Sequence, residues 1–85
     1  MEILIDRVTS MMGAAISDPR YAYGKSVTGT IQGTGQAIQV ITPESRNDKI
    51  DDLRRGDLWQ TQIVLVDWDS LYNRINARQL DVNAG

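Results

Sequence analysis

Leu71-Tyr72-Asn73-Arg74-Ile75-Asn76-Ala77-Arg78 is the stretch on which the fold turns. Extended, it places Leu71, Ile75 and Ala77 on an inner face and Tyr72, Arg74, Asn76 and Arg78 on an outer one, because strand side chains alternate. Helical, and capped by Asp69 or Ser70, it lines up Leu71, Ile75 and Val82 and scatters the outer set. The two readings lead to different proteins, one mainly β and one α+β.

The segments before it favour β structure. A charged turn, Asp67-Trp68-Asp69-Ser70, follows Leu58–Val66, whose second half (Ile63-Val64-Leu65-Val66) is apolar on both faces. That pattern predicts a central strand. A helix is expected over 45–55, with Ser45 and Asp48 as a capping-box-like start and Gly56 as its stop. Its buried stripe would be Ile50 and Leu53. Thr42-Pro43 ends the preceding strand, since proline has no N–H for a ladder.

The clearest hairpin lies further upstream. Ser26–Gln32 and Gln36–Thr42 alternate apolar and polar residues around Gly33-Thr34-Gly35, the pattern of two strands and a short glycine turn. Gly29 within the first strand reads as a bulge or bend. Residues 2–10 read as a strand running into a Met- and Ala-rich stretch, although a helix over 2–16 has the right spacing too. Ser17-Asp18-Pro19-Arg20 is a turn signal.

The resulting order, strand, hairpin, helix, strand, turn, strand, resembles an OB-fold. Leu53-x-x-Gly56-Asp57 looks like the entry to strand four in many OB domains. The resemblance implies a five-stranded Greek-key barrel with one short helix between strands three and four. The alternative is a compact α+β domain with a three-stranded antiparallel sheet and flanking helices.

Composition narrows the function. One domain is expected over 85 residues, a size at which the stability margin is thin. The chain has no cysteine and no histidine. Disulfides, thiolate metal sites and a cysteine nucleophile are thereby excluded, and the usual general base is missing. A non-catalytic protein without cofactor or metal is expected. Nine basic against eleven acidic residues give a net charge of −2, so attraction to nucleic acid must come from local patches. No apolar run approaches the roughly 20 residues that span a bilayer. Acid in Met1-Glu2-Ile3-Leu4-Ile5-Asp6 argues against a signal peptide, so a cytoplasmic protein without membrane partners is expected.

Three patches are candidates for binding. Tyr72, Arg74 and Arg78 form the first, in a segment, Leu71 to Leu80, that has no acid. Tyrosine rings stack on bases, and guanidiniums pair with phosphates. The plainer alternative is a solvated outer face. Tyr21, Tyr23 and Lys25 form the second, in the loop that flanks the binding face of an OB barrel. Its plainer alternative is a loop folded down on its rings. Trp68, flanked by Asp67 and Asp69, suits a protein partner better than a phosphate backbone. The glycines at 29, 33 and 35 match no phosphate-loop spacing. Glu44–Asp57, with five acids and four bases, reads as a solvated, mixed-charge face.

The leading expectation is therefore a small OB-type module that binds single-stranded nucleic acid as a homo-oligomer. Its rival is a protein-interaction or assembly subunit with no nucleic-acid role. The helical reading of 70–80 would favour the rival.

Overall fold

The structure is a computed structural model, and it describes residues 1–10, 21 and 24–80. Tyr23, the Met- and Ala-rich stretch, the turn at 17–20 and the tail beyond Leu80 lie outside the described residues.

Alternating sequence builds the centre of the sheet. β1 (Glu2–Ser10), β2 (Lys25–Ile31) and β3 (Ala37–Ile41) form an antiparallel meander. Gly33 and Gly35 turn the β2–β3 hairpin at φ 96° and 72°, values that cost glycine nothing and other residues strain. The Gly35 N–H donates to the Ile31 carbonyl at 3.0 Å, and Ile31 N–H donates to the Gln36 carbonyl at 2.9 Å. Gly29 has a different role. A Cβ there would run into the carbonyl oxygen of Leu4 on the neighbouring strand. The bulge expected at Gly29 sits across from it, where the register of β1 shifts between Ile5 and Arg7.

Beyond β3, buried Thr42 and Pro43 end the strand. A single 3₁₀ turn at Glu44–Arg46 then leads into α1 (Asn47–Asp51). This helix is shorter than the expected 45–55, and the Ser45–Asp48 box does not cap it: neither start carries a side-chain cap. Asp is one methylene too short for the reciprocal bond that Glu makes. The helix ends at Asp51, five residues before Gly56. Ile50 is nonetheless buried, as its place on the apolar stripe requires.

The segment after α1 departs most from expectation. The strand expected over Leu58–Val66 is divided in two, β4 (Leu58–Gln60) and β5 (Ile63–Asp69), and β5 runs on through Asp67-Trp68-Asp69, expected as a turn. β4 pairs with β1, and β5 pairs with β6 (Arg74–Gln79). The complete order is β4-β1-β2-β3-β6-β5. Both halves of the run expected to be central are therefore edge strands. All neighbours are antiparallel except β3 and β6, which run parallel. A long connection through the helix allows that, as no tight turn could. The protein is thus mainly β, with a six-stranded mixed sheet and one short helix. Strand pairing gives six strands instead of five, and β4 and β5 do not pair with each other. The sheet is not closed into a barrel, and with six strands it is not the three-stranded sheet of the α+β alternative. Residues 74–79 and 2–10 are extended, because Ala77 and Ile75, and Ile3 and Ile5, bury at the period of a strand.

Thr61 and Gln62 carry the chain between the two edges. Met1 and Thr61 exchange backbone bonds at 2.9 and 3.0 Å. Leu80 N–H donates to the Gln62 carbonyl at 2.8 Å. The sheet curls around two apolar clusters. Ile3, Ile38, Val40 and Ala77 form one. Ile5, Val27 and Ile50 form the other. Half-buried Trp59 packs against both.

Candidate functional site

Register fixes which side chains share the outer face. Leu4 pairs with Thr30 and Thr30 with Ala37, and Ala37 adjoins Arg74 through the Ile38–Ile75 register. Two residues along, Arg7, Thr28, Gln39 and Asn76 form the next outer row. Thr9, Ser26, Ile41 and Arg78 form a third. The intervening rows hold Ile5, Gly29, Ile38, Ile75 and then Val8, Val27, Val40, Ala77, which are the core. Beside Leu4, Ala37 and Ile41, these outer rows carry threonine, glutamine and asparagine, with buried Ser26 among them and arginines on β1 and β6.

One end of this face is open. A groove of about 540 Å³ has Leu4, Thr28, Thr30 and Ala37 in its floor and Tyr72, Arg74 and Arg55 around it. Tyr72 comes from the turn at 70–73, which the Asp69 carboxylate shapes by accepting from Leu71 N–H at 3.0 Å and Tyr72 N–H at 3.3 Å. Asn73 takes φ 53° there, a left-handed conformation that asparagine tolerates better than most residues. Gln36 in the β2–β3 turn donates to the Asn73 carbonyl at 3.3 Å, which ties the two turns together.

The Arg74 guanidinium lies 4.8 Å from the Tyr72 ring centroid. Its Nε is buried and without a hydrogen-bond partner, 3.8 Å from Asp69 Oδ2, which is beyond hydrogen-bond reach. Arg55, across the groove, meets Asp6 at 3.6 Å, with both side chains largely in water. An exposed pair of this kind holds its partners weakly, so Arg55 can turn to a ligand.

The opposite end is closed. Tyr21 is 1% exposed, and its hydroxyl donates to the Gln79 carbonyl at 2.7 Å. Arg78 lies over its ring at 5.9 Å from the centroid. Tyr21 is therefore no stacking platform: it gains more by burying its ring and satisfying its hydroxyl on β6 than by facing water. Lys25 pairs with Asp51 at 3.2 Å.

The expected stripe is thus divided. Arg74, Asn76 and Arg78 do share a strand face, but Tyr72 precedes the strand and joins Arg74 from the turn. Leu71, expected inside, is 83% exposed in that turn. The structure brings Tyr72 and Arg74 together, and Arg78 with Tyr21, at separate ends. Trp68 is exposed on β5, as its polar flanks suggest. Its acids are engaged: Asp67 accepts from Asn76 Nδ2 at 2.9 Å, and Asp69 shapes the turn. Sequence reasoning missed Arg55 and Arg7. Arg55 sat in a mixed-charge run with nothing to mark it, and only the pairing of β1 with β2 gives Arg7 a place on this face. A second groove of about 670 Å³ surrounds the edge-to-edge crossing, lined by Glu2, Arg46, Gln60, Thr61 and Gln62 among others, and has no aromatic residue.

No protein family, curated protein or solved structure matches this chain. Among the described residues no helix is long and apolar enough to cross a membrane.

Proposed function

We propose that the chain is a non-catalytic, OB-type module that binds single-stranded nucleic acid in the Tyr72–Arg74 groove and acts as a homo-oligomer. Topology supports the fold half of this reading. If Leu58–Asp69 counts as one strand interrupted at Thr61-Gln62, the neighbours run four-one-two-three-five-four. On that count the order would be that of a five-stranded Greek key with α1 between strands three and four. The face of strands two and three, bounded by the loop between four and five, is where such folds take oligonucleotides. Here that face is β2–β3, and that loop is the turn carrying Tyr72.

The observation that carries the ligand half is Arg74. It pairs a guanidinium with an aromatic ring while holding a buried donor without an acceptor. The Arg74 side chain is 24% exposed and its ion pair with Asp69 is long, at 3.8 Å, so a phosphate would pair with its guanidinium. Tyr72, 64% exposed, would stack a base, which is worth roughly 1–3 kcal/mol. Thr28 and Thr30, which line the groove, offer uncharged hydrogen-bonding groups to sugar and base. With few arginines per copy, several linked copies would gain avidity without new contacts.

Titration with a poly-dT oligonucleotide, followed by intrinsic fluorescence, tests the reading. Binding should be measurable at low salt and should weaken steeply as salt rises. Arg74→Ala combined with Arg55→Ala should weaken it about tenfold or more while leaving thermal unfolding nearly unchanged. No binding at low salt overturns the reading. The second reading, a protein-assembly subunit without a nucleic-acid role, is favoured by the apolar exposure of Leu65, Val66 and Trp68.

A further inference from the structure

The strongest unpartnered feature lies away from the groove. β5 is a seven-residue edge strand, paired with β6 on one side and, among the described residues, with no strand on the other. Three of its four exposed residues are apolar, Leu65 at 65%, Val66 at 54% and Trp68 at 51%, the fourth being Asp67, and Leu71 follows in the next turn. Edge strands are usually protected by lysine, proline or charge. β5 has no lysine, arginine or proline. Its two acids are turned to other tasks, Asp67 to Asn76 and Asp69 to the amides of Leu71 and Tyr72. Asp69 is only 22% exposed.

We propose that β5 is a homodimer interface, pairing antiparallel with β5 of a second copy across a two-fold axis near Val66. This names the surface for the self-association proposed above, and it does not need the nucleic-acid reading. Area supports a second copy. Aromatic side chains bury roughly 150–250 Å² each, so at these exposures the patch amounts to several hundred Å². A monomer ordinarily exposes about 300–600 Å² in its largest apolar patch. Doubled by symmetry and extended by the flanking turn, such a patch comes within reach of the roughly 1,200 Å² at which specific interfaces begin. Chemistry supports it as well. A basic extended segment would need open carboxylates, whereas the engaged acids leave an apolar edge that is its own best complement. A two-fold interface demands that self-complementarity. With the axis at Val66, the two copies of Val66 would lie opposite each other, a β-branched pair at the centre of the interface. The bulge at Val66, between Leu65 and Asp67, disturbs the ladder toward β6.

The test is sedimentation equilibrium without nucleic acid. The protein should be a dimer at micromolar concentrations. Leu65→Lys with Val66→Lys should raise the dissociation constant at least about tenfold, while Leu58→Lys on β4 leaves it unchanged. A cysteine scan covers the case in which the lysine variant does not fold. The chain is free of cysteine, and residues opposite each other in an antiparallel pair stand about 4.5–5.5 Å apart at Cα, within disulfide reach. Single cysteines at Val64, Leu65 and Val66 should include at least one that forms covalent dimer ten times faster than Leu58→Cys. A protein that stays monomeric to millimolar concentration overturns the proposal, and so does a dimer that no β5 cysteine crosslinks. A monomer that binds a lysine-rich extended peptide through β5 also overturns it, in favour of a basic partner. An unaltered chain that binds oligonucleotide but stays monomeric overturns this interface and leaves the nucleic-acid reading standing.

Discussion

The β2–β3 hairpin and the Leu58–Asp69 run use apolar sequence in opposite ways. The hairpin spends every second residue on polar groups, yet it occupies the middle of the sheet, with Val27 and Val40 fully buried. The run concentrates Ile63, Val64, Leu65 and Val66, yet forms both edges, with Leu65 and Val66 largely exposed. A strand in the middle of a curled sheet has one wet face and needs apolar residues on the other alone. An apolar residue on both faces signals two surfaces to cover, and the second surface need not belong to the same chain. Position in a sheet follows from which backbone groups are paired, and hydropathy reports only which side chains avoid water.

Substitutions at the centre and at the edge should separate these two roles. Gly29→Val should have the largest effect, a loss of at least about 3 kcal/mol or failure to fold, because the new side chain meets backbone that cannot yield. Circular dichroism and denaturant unfolding would show it, and a stable folded variant would refute the close approach of β1 and β2. Ile38→Ala, at 1% exposure, should cost roughly 2–5 kcal/mol. Leu65→Ala, measured in dilute protein, should change stability by no more than about 0.5 kcal/mol. Half-buried Ile63 should fall between them, and equal losses at 38 and 65 would erase the distinction between centre and edge. Tyr21→Phe should cost about 1 kcal/mol by thermal unfolding, through the lost bond to the Gln79 carbonyl. An unchanged midpoint would mean that the ring is held by packing alone. A small effect is expected at Lys25→Ala too. Its partner Asp51 is more than half exposed, and such a pair is worth well under about 1 kcal/mol once water screens it.

How much was legible differs from element to element. Around Gly33 and Gly35 the hairpin could be read because turn chemistry and period agree within a short window. Ile50 was found as a buried helical residue for the same local reason. Arg74, Asn76 and Arg78 were placed on one face by alternation, which needs only that the segment be extended. Tyr21 was left between two readings because an aromatic in a loop has two favourable fates, and the choice depends on whether Gln79 presents a carbonyl at the right distance. Tyr72 was given to the strand because nothing local revealed that the Asp69 carboxylate would hold 70–73 as a turn. Arg55 joined the groove only through the path of the chain from α1 to β4.

By itself the sequence left 70–80 open between strand and helix, and determined that this protein has one glycine hairpin and that thiol and imidazole chemistry are closed to it. Those properties depend on residue identity and on neighbours a few positions apart. Tertiary structure alone decided that one apolar run would serve both edges of the sheet, that Tyr21 would close one end of the outer face, and that Tyr72 and Arg74 would meet at the other. Those outcomes depend on contacts between residues up to about sixty positions apart, such as Met1 with Thr61. Such contacts form only when the whole chain has chosen its pairing, and no short window of sequence contains that choice.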